Sequence, residues 1–120
     1  MTEELFHFVD GERHKGTSGR FGDVFNPATG EVTKQVPLAS ADEVREAIAS
    51  ASAALPGWSA TPVAKRAQVL FKFRELIIKN MDELADLVST EHGKTLDDAK
   101  GSITRGLEVV EFACGIPHLL

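Results

Sequence analysis

The stretch Gly101-Ser102-Ile103-Thr104-Arg105-Gly106-Leu107-Glu108-Val109-Val110-Glu111-Phe112-Ala113-Cys114 decides how this chain must fold. Its apolar residues recur at helical spacing on two faces. Ile103, Leu107, Val110 and Cys114 form one stripe; Arg105, Val109, Phe112 and Ile116 form the other. A helix apolar all round needs cover on both sides, so it is predicted to belong inside a larger body. Arg105 stands in the second stripe beside Gly106. A guanidinium in apolar surroundings needs an anionic partner, because an unpaired charge there is costly. Two partners are open at this point. One is Glu108, at i+3 on the same helix. The other is a carboxylate or phosphate ligand, which a planar guanidinium can hold at two points.

Upstream of that helix the chain alternates turn signals and helical runs. Phe6 to Val9 followed by Asp10-Gly11 predicts a short strand and a hairpin turn. His14 to Gly22 reads as a loop, Val24-Phe25 as a strand stopped by Asn26-Pro27, and Val32 to Val36 as a third strand. Pro37 should push that strand to a sheet edge or a bulge. Ser40-Ala41-Asp42-Glu43 is a capping box that opens a helix carrying Val44, Ala47, Ile48, Ala51 and Leu55, expected to end at Pro56-Gly57 with Trp58 plugging the connection. Thr61-Pro62 should cap a second helix. Asn80 with Glu83 should cap a third, stopped by Gly93, with Lys94 against its last carbonyls. Thr95 or Asp97 then caps the fourth. The expected fold class is α/β: short strands over residues 1–39, then four helices over 40–120.

Composition narrows the function. The chain has 120 residues, 42% of them apolar, which suffices for a real core. A net charge of -5 argues against a general nucleic-acid binder. One cysteine rules out an internal disulfide framework and fits a reducing compartment. With no signal-peptide pattern and no long apolar span, the default expectation is a soluble protein with no membrane partner. The apolar ending Gly115 to Leu120 looks cut in mid-fold. Neither a dinucleotide-binding glycine motif nor a P-loop is present, and Gly16, Gly19 and Gly22 are not followed by a helix start. His7, His14, His92 and His118 lack metal-ligand spacing and read as packing or surface residues, and Cys114 reads as a small core residue.

Taken in order, several stretches resemble the N-terminal segment of an aldehyde dehydrogenase. They are Phe25-Asn26-Pro27-Ala28-Thr29-Gly30-Glu31-Val32, the Trp58 connection, Arg66 with Leu70 and Leu76-Ile77, and Thr90-Glu91-His92-Gly93-Lys94 with the closing helix. Within that family, Pro37-Leu38-Ala39, Arg105 to Ala113 and Gly115-Ile116-Pro117 are most similar to the CoA-acylating, methylmalonate-semialdehyde branch. The resemblance implies that the chain is an incomplete portion of a Rossmann-type NAD-binding domain. It implies a homo-oligomer, dimer or tetramer, in the cytoplasm or the mitochondrial matrix. It also implies a reaction in which a cysteine thiolate attacks a semialdehyde, hydride passes to NAD, and CoA takes the acyl group. The nucleophile, the oxyanion-hole Asn and the NAD-binding residues would lie beyond Leu120, leaving these 120 residues inactive alone. Two implied roles fall inside the chain. Arg105 matches the position that holds the substrate carboxylate. Glu91, with the backbones of Val24 and Phe25, matches a structural monovalent-cation site, with Glu in place of the usual Asp. A hydrolytic aldehyde dehydrogenase for another carboxylate-bearing aldehyde, such as succinate semialdehyde, and a non-catalytic helical interaction module are the competing expectations.

Overall fold

The computed structural model describes residues 3–120, which divide into two compact units, residues 3–58 and 59–120. In the first, five strands precede a long helix: β1 (Glu3–Glu4), β2 (His7–Val9), β3 (Glu12–His14), β4 (Phe21–Phe25), β5 (Val32–Pro37) and α1 (Ala41–Ala60). The second is helical: α2 (Val63–Lys79), α3 (Met81–His92), α4 (Leu96–Cys114) and a 3-10 turn over Ile116–Leu119. Short strands followed by four helices is the expected mixed α/β order.

The strands form two sheets rather than one hairpin or meander. β2 and β3 pair antiparallel about Asp10 and Gly11, whose φ values of 54° and 78° make the tight two-residue turn that the sequence signalled. The return strand Glu12–His14 is wholly polar and exposed, so no apolar alternation announces it; it forms by pairing back on β2 after the turn. β5 is the centre of the other sheet, between parallel β1 and antiparallel β4. This corrects the edge position expected from Pro37. Proline is tolerated there because β1 pairs only with Lys34 and Gln35 and stops short of Pro37. The irregularity lies at the other end of the strand, where Val24 pairs Lys34 and Phe25 pairs Val32; Thr33 is skipped and gives its hydroxyl to the Val24 carbonyl at 3.2 Å.

The capping box at the start of α1 forms as read and gains a third donor. Ser40 Oγ accepts from the Glu43 amide at 3.2 Å, and Glu43 Oε2 accepts from the Ser40 amide at 2.7 Å. Glu43 Oε1 also accepts from the Thr17 amide at 2.7 Å, which ties the β3–β4 loop to the helix start. These backbone donors pull the Glu43 carboxyl down to about 2. The helix does not stop at Pro56. It runs on to Ala60, because the fixed φ of proline is helical and its ring forfeits one backbone bond without ending the helix; Trp58 therefore lies within α1, 48% exposed, and not in a connection after it.

Two other caps differ from the sequence reading. Pro62, not Thr61, is the N-cap of α2, its carbonyl accepting from Lys65 and Arg66. A residue before proline is pushed out of helical geometry, which keeps Thr61 outside. Asn80 spends its side chain on the end of α2, donating to the Leu76 carbonyl at 2.8 Å, so no box forms with Glu83. Gly93 does close α3 in the left-handed conformation, φ 81°, and Thr95 caps α4 by accepting from the Asp98 amide.

The core of the second unit consists of small residues. Ala67 of α2, Ala85 of α3, and Ala99 and Cys114 of α4 are buried, and Cys114 is the core residue expected. Larger apolar residues such as Leu70, Ile77, Leu84, Ile103 and Leu107 are half-buried around them, and others face outward. Phe71, Phe73, Leu76, Ile78 and Leu87 are all exposed. Arg74 of α2 reaches Glu111 of α4 with both Nε, at 2.8 Å, and Nη2, at 2.7 Å. Such a fork fixes register between the helices more than it stabilises them, since both groups are partly solvated.

Candidate functional site

The two stripes read on α4 separate as expected. Ile103, Leu107 and Val110 are half-buried and Cys114 is buried, while Arg105, Val109, Phe112 and Ile116 are exposed, Val109 at 68% and Phe112 at 70%. A cationic side chain therefore stands at one end of an uncovered apolar strip about three turns long.

The guanidinium of Arg105 is held in place, and not by Glu108. Among the described residues no carboxylate pairs with it; its Nη2 donates to Ser102 Oγ at 3.1 Å. Its Nη1 lies over Gly101, 3.8 Å from where a Cβ would stand. The Glu108 pairing considered from sequence does not form. Residues i and i+3 share a helix face, but Arg105 turns toward the preceding turn, where Ser102 is the acceptor.

Ser102 in turn accepts from a second cation. Lys94 Nζ donates to Ser102 Oγ at 2.8 Å and pairs with Asp98 Oδ2 at 3.1 Å. The lysine side chain is only 16% exposed, and its own carbonyl accepts the Ser89 hydroxyl at 2.7 Å. Lys94 thus does not dress the last carbonyls of α3, as its position after Gly93 suggested. It folds forward along α4, where Asp98 and Ser102, four residues apart, present two acceptors on one face. The resulting chain of contacts, Asp98 to Lys94 to Ser102 to Arg105, was not foreseen. Its signal was the i, i+4, i+7 spacing of Asp98, Ser102 and Arg105.

Val24 and Phe25 lie in β4 and Glu91 lies near the end of α3, in different units, so the cation site remains an implication of family resemblance. His7 and His14, distant in sequence, are register partners across the β2–β3 hairpin. They line a cavity of about 440 Å³ with Lys15, Glu43, Glu46 and Ser50. Among the described residues His7 Nε2 is buried without a partner, and His14 Nε2 contacts the Val9 carbonyl at 3.2 Å. Among the described residues no third His, Cys, Asp or Glu completes a metal set. Nor is any described helix long and apolar enough to cross a membrane.

Comparison with known proteins places this geometry in a family. Residues 14–120 match the sequence profile of the aldehyde dehydrogenase family, and the chain belongs to it. More particularly, it is 49% identical over 116 residues to malonate-semialdehyde dehydrogenase of Pseudomonas aeruginosa, covering 97% of this chain and 23% of that protein. It is 49% identical over 119 residues to the mitochondrial, acylating methylmalonate-semialdehyde dehydrogenase of Arabidopsis thaliana, covering 99% of this chain and 20% of that one. The crystal structure of a candidate methylmalonate-semialdehyde dehydrogenase from Sinorhizobium meliloti 1021, complexed with NAD, superposes with a TM-score of 0.95 at 58% identity, over 99% of this chain and 24% of that one. The chain spans about a quarter of the length of the relatives it matches.

Proposed function

We propose that the full-length enzyme carrying this segment oxidises malonate or methylmalonate semialdehyde with NAD and delivers the acyl group to CoA. The observation that carries this reading is Arg105, a guanidinium held by Ser102 on an apolar strip and paired with no carboxylate among the described residues. Similarity to malonate- and methylmalonate-semialdehyde dehydrogenases supports it. Arg105 binds the substrate carboxylate and so aims the aldehyde end away from α4, while Val109 and Phe112 keep water from the substrate's carbon chain. NAD, when bound, accepts the hydride. No residue of this chain is assigned to NAD or to CoA. The segment belongs to the Rossmann-type cofactor domain of a homo-oligomer, a dimer or tetramer, in the cytoplasm or, in a eukaryote, the mitochondrial matrix. Alone it has no dehydrogenase activity.

The test is product identity in the full-length enzyme. Malonate semialdehyde with NAD should yield NADH only when CoA is supplied, with one acetyl-CoA and one carbon dioxide per NADH. CoA-independent formation of malonate would replace this reading with the hydrolytic one. A preference for succinate semialdehyde would change the substrate assignment.

A further inference from the structure

Lys94 and Ser102 are not accounted for by a reading in which Arg105 alone meets the substrate. A serine oxygen has two lone pairs and one hydrogen. Here both lone pairs face cationic donors, Lys94 Nζ at 2.8 Å and Arg105 Nη2 at 3.1 Å. Serine within a helix commonly returns its hydrogen to the carbonyl four residues back, as Thr104 does toward Lys100 at 2.9 Å. Ser102 makes no such bond: among the described residues nothing accepts its hydrogen. Two positive charges at its oxygen polarise the O–H bond and make it a better donor to an anion. The hydroxyl therefore lies beside Arg105 with an unassigned, strengthened donor, held from behind by a mostly buried ammonium that Asp98 partly neutralises.

We propose that Ser102, fixed by Lys94, is a specificity-determining residue of the carboxylate site. It positions the Arg105 guanidinium through one lone pair and donates its own hydrogen to the carboxylate that Arg105 binds. This rests on the Arg105 reading above and extends it from one residue to a built site of guanidinium and hydroxyl. Lys94 is a positioning residue that acts through Ser102.

The experiment compares malonate semialdehyde with propanal, which has no carboxylate, in the full-length enzyme with NAD and CoA. Ser102→Ala should raise KM for the semialdehyde about ten- to a hundredfold, the range for losing one hydrogen bond to a charged group, with kcat and both propanal constants nearly unchanged. Ser102→Thr keeps the hydroxyl and should recover most of the loss. In an Arg105→Leu background, Ser102→Ala should cost less than it does alone, because the two act on one carboxylate. An equal loss for both substrates, or no rescue by threonine, would overturn the proposal and make Ser102 structural. If Arg105→Leu abolishes the preference for the semialdehyde while Ser102→Ala leaves it intact, only the Ser102 proposal fails. If Arg105→Leu also leaves the preference intact, the carboxylate reading itself falls and takes this one with it.

Discussion

Replacing Arg105 by Leu separates a ligand role from a structural one because the structure assigns it almost no structural role. The guanidinium is exposed, forms no ion pair among the described residues, and makes one hydrogen bond to a neutral hydroxyl. Removing it should change stability by no more than about 0.5 kcal/mol, as for a surface position without a special contact. In a protein several times this length that is an apparent melting shift within about 2 °C. The ligand contact is another matter. A charge-assisted, two-point bond to a carboxylate contributes roughly 1.5–3 kcal/mol, and each 1.4 kcal/mol is about tenfold. Arg105→Leu should therefore lower kcat/KM for malonate semialdehyde about ten- to a hundredfold. Propanal should lose nothing, and gains if the strip through Val109 and Phe112 becomes continuously apolar. Arg105→Lys should recover only part, since an ammonium cannot reproduce the planar fork. The assay is initial NADH formation with both aldehydes on one preparation, together with its melting curve. Equal losses for both aldehydes, or a marked drop in melting temperature, would refute the assignment.

The remaining predictions concern what holds the segment in shape. Glu43 titrates at about 2 instead of 4.5, so the unfolded chain takes up its proton first. Its stabilisation is complete above 4.5 and is lost as pH falls toward 2, so the melting gap between wild type and Glu43→Gln should close across that window; a gap that does not vary with pH would exclude the charged capping box. Gly16→Ala should destabilise by about 1–3 kcal/mol, because its Cβ would stand 2.5 Å from that of Pro37. Gly57→Ala, exposed within α1 with open space at its Cβ, should instead stabilise by about 0.5–1 kcal/mol; the two melting shifts should have opposite signs. Ala99→Leu should cost about 1–3 kcal/mol by forcing α4 off its neighbours, since Ala99 is fully buried; an unchanged melting curve would deny that small residues set the helix spacing.

What could be read from sequence was local. Ser40 and Glu43 cap the same helix start, Asp10 and Gly11 turn the hairpin, and Gly93 ends α3, because each depends on residues within four positions of itself. What could not be read was decided by distant chain. β1 adds to β5 as a parallel strand across some thirty residues, which no local pattern announces, and it is this pairing that puts Pro37 at the end of a central strand. Asn80 had two helix ends to serve and served the first. The site divides in the same way. Arg105 was visible because a charge interrupts an apolar stripe. Ser102 was not, because a hydroxyl interrupts nothing; only its meeting with Lys94, from the far side of a helix cap, gives it a role. The two faces themselves follow from helical periodicity: Ile103, Leu107, Val110 and Cys114 take the more buried side of α4, which puts Arg105, Val109 and Phe112 together on the opposite side. A cation and an apolar strip thus share one helix face, the pairing that an anion with a short carbon chain calls for.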